Sequence, residues 1–115
     1  MDPIESALRG ENPTVIRRMT SGFAVFGDTQ FLPGYCLLLS ESPTAEHLSD
    51  LPAPMRRTFL SDMALLGEAV ERACTRIDPA FRRINLEILG NTYPRVHAHI
   101  WPRYTWEPPD LLPVP

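Results

Sequence analysis

The chain has 115 residues, 43% of them hydrophobic, and a formal net charge of −3, which fits one mildly acidic globular domain. All of its basic residues other than histidine are arginine, so mechanisms that need a lysine, such as Schiff-base formation or P-loop phosphate binding, are excluded. No tract of like charge is present, so the sequence predicts no binding of nucleic acid.

The amino-terminal stretch MDPIESALRGE lacks the apolar segment of a signal peptide, and no apolar run approaches the roughly 20 residues of a membrane helix. We therefore expect a cytoplasmic protein that does not bind membranes. Residues 1–115 are predicted to form a single domain, in which residues 1–20 are an amino-terminal extension and residues 105–115 a proline-rich tail. The prolines predict an extended tail, and its apolar residues predict docking on a surface of this subunit or of a partner.

A first β-hairpin is predicted in the amino-terminal half of the chain. Residues 22–28, GFAVFGD, and residues 35–40, YCLLLS, are both rich in apolar side chains, and Pro33-Gly34 marks a turn between them. Because the second segment is almost entirely apolar, we expect it to be a central strand.

A long amphipathic helix is predicted over residues 52–77. Pro52 and Pro54 suit a first helical turn, whereas Pro79 restricts Asp78 to extended geometry, so the helix ends before it. The apolar face has spacings of three and four and consists of Met55, Phe59, Met63, Leu66, Val70, Cys74 and Ile77.

A second hairpin is predicted from residues 83–89 and 95–101, which alternate between apolar and polar side chains on either side of a turn at 90–94. One face of its second strand is apolar, and the other carries Arg95, His97, His99 and Trp101. The order hairpin, helix, hairpin predicts an α+β fold, in which an antiparallel sheet has the long helix packed on one face.

The strand face that bears His97 and His99 is the candidate for chemistry. Residues two apart on a strand have Cα atoms roughly 6.5–7 Å apart, so both imidazoles lie on one surface. Arg95 beside them supplies a planar guanidinium for phosphate oxygens, and the Asn91 side chain and the turn amides are further donors. Such a set of groups can hold a phosphate and attack it with a neutral imidazole.

The same histidines have two other interpretations. They can be ordinary polar residues on a solvated sheet face, or they can be metal ligands, since two histidines on one strand are a common ligand pair. A metal needs a third ligand, for which the candidates are His47, Glu87 and Glu107. None of these has a recognisable spacing to the pair, and Arg95 beside the histidines would repel a divalent ion.

The segment RVHAHIWPR, residues 95–103, resembles the signature of the histidine triad (HIT) family. In that signature three histidines alternate with hydrophobic residues, two hydrophobic residues follow, and many members then have Pro-Arg. His97 matches the central histidine and His99 the third, whereas Arg95 stands where the first histidine is found.

Two further segments carry the resemblance. VFGDTQFLPGYCLLL, residues 25–39, is similar to the first hairpin of the family, in which an aspartate binds the nucleotide ribose, and Asp28 matches that aspartate. LGNTYPRVHAHIWPRY, residues 89–104, resembles bacterial members of the diadenosine-polyphosphate-hydrolase-like type.

The resemblance implies a sheet of about five antiparallel strands with one long helix, assembled as a homodimer, and a purine nucleotide or dinucleoside polyphosphate as ligand. It implies that His97 attacks the α-phosphorus of a nucleotide ester, anhydride or phosphoramidate, and that water then releases the monophosphate from a nucleotidyl-histidine. His99 would bind a nonbridging oxygen. No cofactor or permanently bound metal is implied.

The arginine in place of the first histidine leaves two expectations for function. Because His97 is intact, we favour a hydrolase or nucleotidyl transferase; the alternative is a nucleotide-binding protein with little turnover. Arg103 is expected either to neutralise a phosphate or to pair with Glu107. The predicted nucleotide- and phosphate-binding residues are Asp28, Asn91, Arg95 and Arg103.

Overall fold

Five strands form one antiparallel sheet and a long helix packs on one of its faces, so the predicted α+β fold is confirmed. The computed structural model describes residues 2–115. In chain order the elements are α1 (Pro3–Leu8), β1 (Val15–Arg18), β2 (Gly22–Phe26), β3 (Cys36–Ser40), a 3-10 turn (Leu48–Asp50), α2 (Ala53–Ile77), β4 (Phe81–Ile88) and β5 (His97–Tyr104).

The strands are ordered β1-β2-β3-β5-β4, and each is antiparallel to its neighbours. β2 and β3 form the predicted first hairpin, and β3 is the central strand that its apolar sequence predicts. β5 lies between β3 and β4, so that Leu37 and Glu87 flank His99 on its two sides. β4 forms one edge of the sheet.

The helix α2 covers one face of the sheet. It begins at Ala53, directly after Pro52, and ends at Ile77, directly before Asp78, close to the predicted bounds. Its apolar buried side chains are Phe59, Leu66, Val70 and Cys74, and they pack in one core with side chains of β3 and β5. Among residues 2–115 no helix is both long and apolar enough to cross a membrane.

Two positions of α2 differ from the predicted pattern. Ile77 is 80% exposed, because the helix ends there and the core does not extend to its side chain. Asp62 is buried, and its carboxylate accepts hydrogen bonds from the backbone N–H (2.8 Å) and the hydroxyl (2.7 Å) of Ser21. This polar contact ties α2 to the start of β2, and a periodicity of apolar residues does not reveal it.

The face of the sheet opposite α2, which we call the open face, carries a second apolar cluster and the alternate side chains of β5. Ile4 and Ala7 of α1 pack there against Phe23, Val25 and Leu39. No element was predicted in residues 1–20, since a helix as short as α1 has too few turns to show a period and depends on packing for its stability. The β5 side chains of the open face are those of His97, His99, Trp101 and Arg103.

The strand β5 continues through Pro102 to Tyr104. Beyond Ile100, β5 pairs only with β4. Pro102, which has no backbone N–H, therefore interrupts no pairing with β3.

The expectation of an extended tail is wrong. Residues 105–113 are mostly in turns, in which the N–H of Leu111 bonds to the carbonyl oxygen of Pro108 at 2.8 Å. Arg103 donates to the carbonyl oxygen of Leu111 at 3.1 Å, so the tail is held against this subunit. Prolines restrict the backbone of this segment, but a turn at Pro108 satisfies that restriction as well as an extended chain does.

Candidate active site

A cavity of about 400 Å³ opens on the open face, between the amino-terminal segment, the β2–β3 hairpin and the turn that precedes β5. Its polar lining consists of Asn12, Thr14, Asp28, Asn91, Thr92, Tyr93, His97 and His99. The structure therefore brings His97, His99, Asp28 and Asn91 together, as the sequence predicts. Arg95 and Arg103 do not line this cavity.

His97 is the more buried of the two histidines, with 5% of its surface exposed. Its Nδ1 lies 2.7 Å from the backbone carbonyl oxygen of Arg95. Because a carbonyl oxygen only accepts hydrogen bonds, Nδ1 carries the proton, and the lone pair of the neutral ring is on Nε2. An imidazole held in this tautomer is a nucleophile with a defined direction of attack.

His99 lies beside His97, with 4.8 Å between the ring centroids and 66° between the ring planes. Its Nδ1 is 2.6 Å from the hydroxyl of Tyr35. Burial, with a smaller contribution from His97, lowers the pKa of His99 to about 4, so the ring is neutral near pH 7. The contact with Tyr35, which is 64 residues away in sequence, was not predicted, because only the pairing of β3 with β5 creates it.

Asp28 lies in the loop that joins β2 to β3, at the cavity margin. The Gln30 side chain closes this loop, since its amide nitrogen donates to the carbonyl oxygens of Gly27 (2.9 Å) and Tyr35 (2.8 Å). Its amide oxygen accepts from the N–H of Gly34 at 3.0 Å. These bonds hold the backbone on both sides of Asp28, a role of Gln30 that no sequence pattern indicates.

The amino-terminal segment forms one wall of the cavity, which the sequence did not indicate. The Asp2 carboxylate accepts hydrogen bonds from the N–H groups of Ile4 and Glu5 and thereby caps α1. It also accepts from the hydroxyl of Tyr93, at 3.1 and 3.0 Å. Tyr93 in turn packs against His97, with ring centroids 5.3 Å apart. Asp2 thus links the amino terminus to the turn that precedes the histidines.

Arg95 lies outside the cavity. It precedes the first residue of β5 and is not among the residues that line the cavity. Its guanidinium donates to Oε2 of Glu46 at 3.1 Å. Its backbone carbonyl oxygen is the hydrogen-bond partner of His97 Nδ1. Phosphate binding by the Arg95 side chain stays a prediction.

Arg103 pairs with Glu107, one of its two expected roles. Its Nε and Nη2 donate to the carboxylate at distances of 2.8 to 3.0 Å, and the two side chains are only 8% and 5% exposed. Arg103 is six residues from His97 along β5, a separation of roughly 20 Å. At that distance the guanidinium does not reach a phosphate bound at His97 itself, and a phosphate contact of Arg103 stays a prediction.

The three candidate third ligands for a metal lie apart from one another. His47 is exposed at the start of the 3-10 turn, Glu107 is bound to Arg103, and Glu87 lies on β4 opposite His99. No three His, Cys, Asp or Glu side chains within residues 2–115 converge as a metal site requires.

Solved structures with a similar fold include two histidine triad proteins. A histidine triad protein from Bradyrhizobium japonicum superposes with a TM-score of 0.67 at 22% sequence identity, over 83% of this chain and 69% of that one. A histidine triad protein from Marinobacter aquaeolei VT8 superposes with a TM-score of 0.67 at 17% identity, over 80% of this chain and 63% of that one. No protein-family profile matches the chain, and no curated protein matches it. The α+β fold is therefore that of histidine triad proteins.

Proposed function

We propose that this chain is a HIT-type hydrolase or nucleotidyl transferase of the diadenosine-polyphosphate-hydrolase-like type. Its substrate would be a purine nucleotide ester, dinucleoside polyphosphate or phosphoramidate, attacked at the α-phosphate. One observation carries this proposal: the bond from His97 Nδ1 to the Arg95 carbonyl leaves the Nε2 lone pair free, in a cavity that also holds His99 and Asp28. The fold shared with histidine triad proteins supports it.

The reaction follows from the two imidazoles. His97 Nε2 forms a bond to the α-phosphorus while the bond from phosphorus to the leaving group breaks, and the leaving group takes the bonding electron pair and then a proton from solvent. The positive charge that develops on the His97 ring is stabilised by the Arg95 carbonyl oxygen, which accepts from Nδ1–H. Water then attacks the phosphorus, releases the nucleoside monophosphate and returns the electron pair to Nε2.

The other groups of the cavity would hold the nucleotide in place. Asp28 would accept hydrogen bonds from the ribose hydroxyls, and the amide of Asn91 would donate to a phosphate oxygen. The apolar walls at Val25 and Phe26 suit a purine ring. His99 would donate from Nε2 to the nonbridging oxygen that gains charge as the reaction proceeds.

The arginine in place of the first histidine is compatible with an enzyme. The group that orients His97 is the backbone carbonyl of residue 95, which every residue type supplies. Substitution of that side chain therefore leaves the orientation of the nucleophile intact. The Arg95 side chain is bound to Glu46 outside the cavity, so it would change the leaving-group preference only by moving from Glu46 to contact the leaving group.

A covalent trap tests the proposal. The protein is incubated with diadenosine tetraphosphate or an adenosine phosphoramidate, quenched in denaturant, and digested for mass spectrometry. We expect AMP attached to His97, no adduct and no turnover in His97→Ala, and an AMP affinity of that variant within about tenfold, or about 1.4 kcal/mol, of the original. His47→Ala is the matched control, because His47 is an exposed histidine outside the cavity.

Each outcome of the trap decides between functions. AMP binding at micromolar concentration without adduct or turnover would replace the enzyme with the nucleotide-binding alternative. Turnover retained in His97→Ala would show that the wrong histidine has been assigned. Arg95→His then measures the effect of the arginine, as a change in the preferred leaving group.

We also propose a homodimer joined at the edge strand β4. Its outer edge has no partner strand among residues 2–115, and strand edges of this kind pair readily with a second copy. Exposed apolar side chains lie on β4 and α2, namely Leu65, Ile77, Leu86 and Ile88. Sedimentation at micromolar concentration should give twice the mass of the chain, and Ile88→Lys should shift it towards the monomer; a monomer in the unsubstituted protein would refute the proposal.

A further inference from the structure

Three aromatic rings of the open face, those of Tyr35, His99 and Trp101, lie nearly parallel. The interplanar angles are 4° for Tyr35 and Trp101, 5° for His99 and Trp101, and 4° for Tyr35 and His99. The centroid distances are 4.0, 5.2 and 6.0 Å in the same order. The Trp101 side chain therefore faces the open side of the sheet and contacts both partners.

The Tyr35 and His99 rings meet edge to edge. The Tyr35 hydroxyl oxygen and the His99 Nδ1 are 2.6 Å apart, whereas the ring centroids are 6.0 Å apart. Two parallel rings satisfy both distances when they lie side by side in nearly one plane. Trp101 then stacks on the surface that the two rings share, in the offset arrangement that aromatic pairs prefer. Rotation of the His99 ring out of this plane would break the hydrogen bond and the stack together.

Tyr35 is itself held in place. It is buried, and its ring lies so close to the backbone of Gly27 that a Cβ there would be 2.1 Å from the ring. The bonds from Gln30 to the carbonyl oxygens of Gly27 and Tyr35 keep the two residues together. The tyrosine is thus a fixed support for His99.

The chemistry of His99 depends on which of its nitrogens carries the proton. Burial, with a smaller contribution from Asp28, raises the pKa of Tyr35 to about 12, so the side chain remains a phenol and a donor. The ionisable groups around the pair are those of Asp28, Cys36, Glu87 and His97. If the phenol donates to Nδ1, the proton of the neutral His99 ring is on Nε2, where it can donate to a phosphate oxygen.

We propose that Tyr35, supported by the stacked Trp101, is a positioning residue that holds His99 in the Nε2–H tautomer and in a fixed plane. This inference rests on the proposed function, in which His99 donates to the charged nonbridging oxygen. In this arrangement the Nε2 atoms of the two histidines have complementary roles, one as a lone-pair donor and the other as a hydrogen-bond donor. His97 presents a lone pair from Nε2 because a backbone carbonyl accepts at its Nδ1, and His99 presents an N–H from Nε2 because a phenol donates at its Nδ1.

The test combines nuclear magnetic resonance with kinetics. In protein labelled with ¹⁵N-histidine at pH 7, the His99 nitrogens should show the Nε2–H tautomer. Tyr35→Phe should convert His99 into a mixture of both tautomers. It should lower kcat on diadenosine tetraphosphate by about tenfold, which corresponds to one lost hydrogen bond, and change KM by less than about threefold. A purely structural role would instead alter thermal stability and leave the tautomer unchanged.

Tyr104→Phe is the matched control. It also removes a tyrosine hydroxyl that contacts the β2–β3 loop, through the carbonyl oxygen of Pro33, but it does not touch either histidine. Its kcat and the His99 tautomer should stay unchanged. An equal loss of kcat in both variants would assign the effect to a loosened loop and overturn the proposal.

The tautomer measurement needs neither turnover nor a stable variant. If the unsubstituted protein proves to be inactive, the spectrum of His99 still decides whether Tyr35 sets the tautomer, so the two proposals fail separately. If Tyr35→Phe does not fold, the unsubstituted protein alone suffices: a proton found on Nδ1 of His99 would overturn the proposal.

Discussion

The two ends of the open face differ in whether their polar side chains have hydrogen-bond partners, although the side chains at both ends belong to one strand, β5. At one end His97 and His99 each have one ring nitrogen bound, and their second nitrogens have no protein partner within residues 2–115. At the other end Arg103 is buried and bound by Glu107 and by the carbonyl oxygen of Leu111.

This difference separates the candidate active site from a structural region. Buried polar groups are normally paired, because an unpaired group loses the hydrogen bonds that water provided. The free ring nitrogens of the histidine end belong to residues that line a cavity, where a ligand can replace water as their partner, whereas the arginine end is buried and paired and anchors the carboxyl-terminal tail.

The largest expected effect is on the free energy of unfolding, and a comparison of two Arg–Glu pairs reveals it. Glu107→Ala should lower the free energy of unfolding by about 3–5 kcal/mol, because it leaves Arg103 buried without its partner. Glu46→Ala, which removes the carboxylate from the more exposed pair with Arg95, should cost less than about 1 kcal/mol. Urea denaturation of both variants measures the difference, and equal costs would show that the tail is not anchored as the structure indicates.

The next effect concerns ligand affinity at the histidine end. Asp28→Ala should weaken AMP binding by about tenfold, or about 1.4 kcal/mol, because the ribose hydroxyls lose an acceptor. Stability should hardly change, since the loop is held by Gln30. Calorimetric titration with AMP and with adenine provides the contrast, because adenine has no ribose and its binding should not respond to the substitution.

A smaller effect is expected at the amino terminus. Asp2→Ala removes the cap of α1 and the partner of Tyr93, and it should lower stability by about 1 kcal/mol. AMP affinity should fall a few-fold because the same contact holds one cavity wall. Asp78→Ala, which removes an aspartate–backbone bond at the far end of α2, should leave AMP affinity unchanged.

A further expected effect is a dependence of stability on pH that originates at His99. The pKa of this histidine is about 4 in the folded protein, against about 6.5 in an unfolded chain, because burial and the nearby His97 oppose its protonation. Between pH 6.5 and 4 the unfolded chain therefore binds a proton that the folded protein does not, so stability falls as the pH falls through this range.

Urea denaturation at pH 7 and at pH 5 measures this fall, and His99→Gln should make it shallower. The lowered pKa values of Asp2 and Glu107 act in the same direction at more acidic pH, and the substitution leaves their contribution in place. A fall that is unchanged in His99→Gln would place its origin elsewhere.

Local patterns were enough to predict much of this protein. The spacing of apolar residues gave α2 nearly to its bounds, and alternation placed His97 and His99 together on the face opposite Val96, Ala98 and Ile100. These predictions succeed because a helix or strand face is a property of neighbouring residues. The short α1 and β1 were missed, because neither is long enough to show a period.

Contacts between distant segments decided the rest. The register of β3 against β5 places Tyr35 beside His99, and the fold of the segment before α2 brings Glu46 to the Arg95 guanidinium. Each of these contacts joins residues more than forty positions apart, so no local pattern encodes them. The sequence by itself therefore determined which side chains are available for chemistry, and only the tertiary structure decided which of their atoms are bound and which are free, because hydrogen-bond partners are chosen by packing.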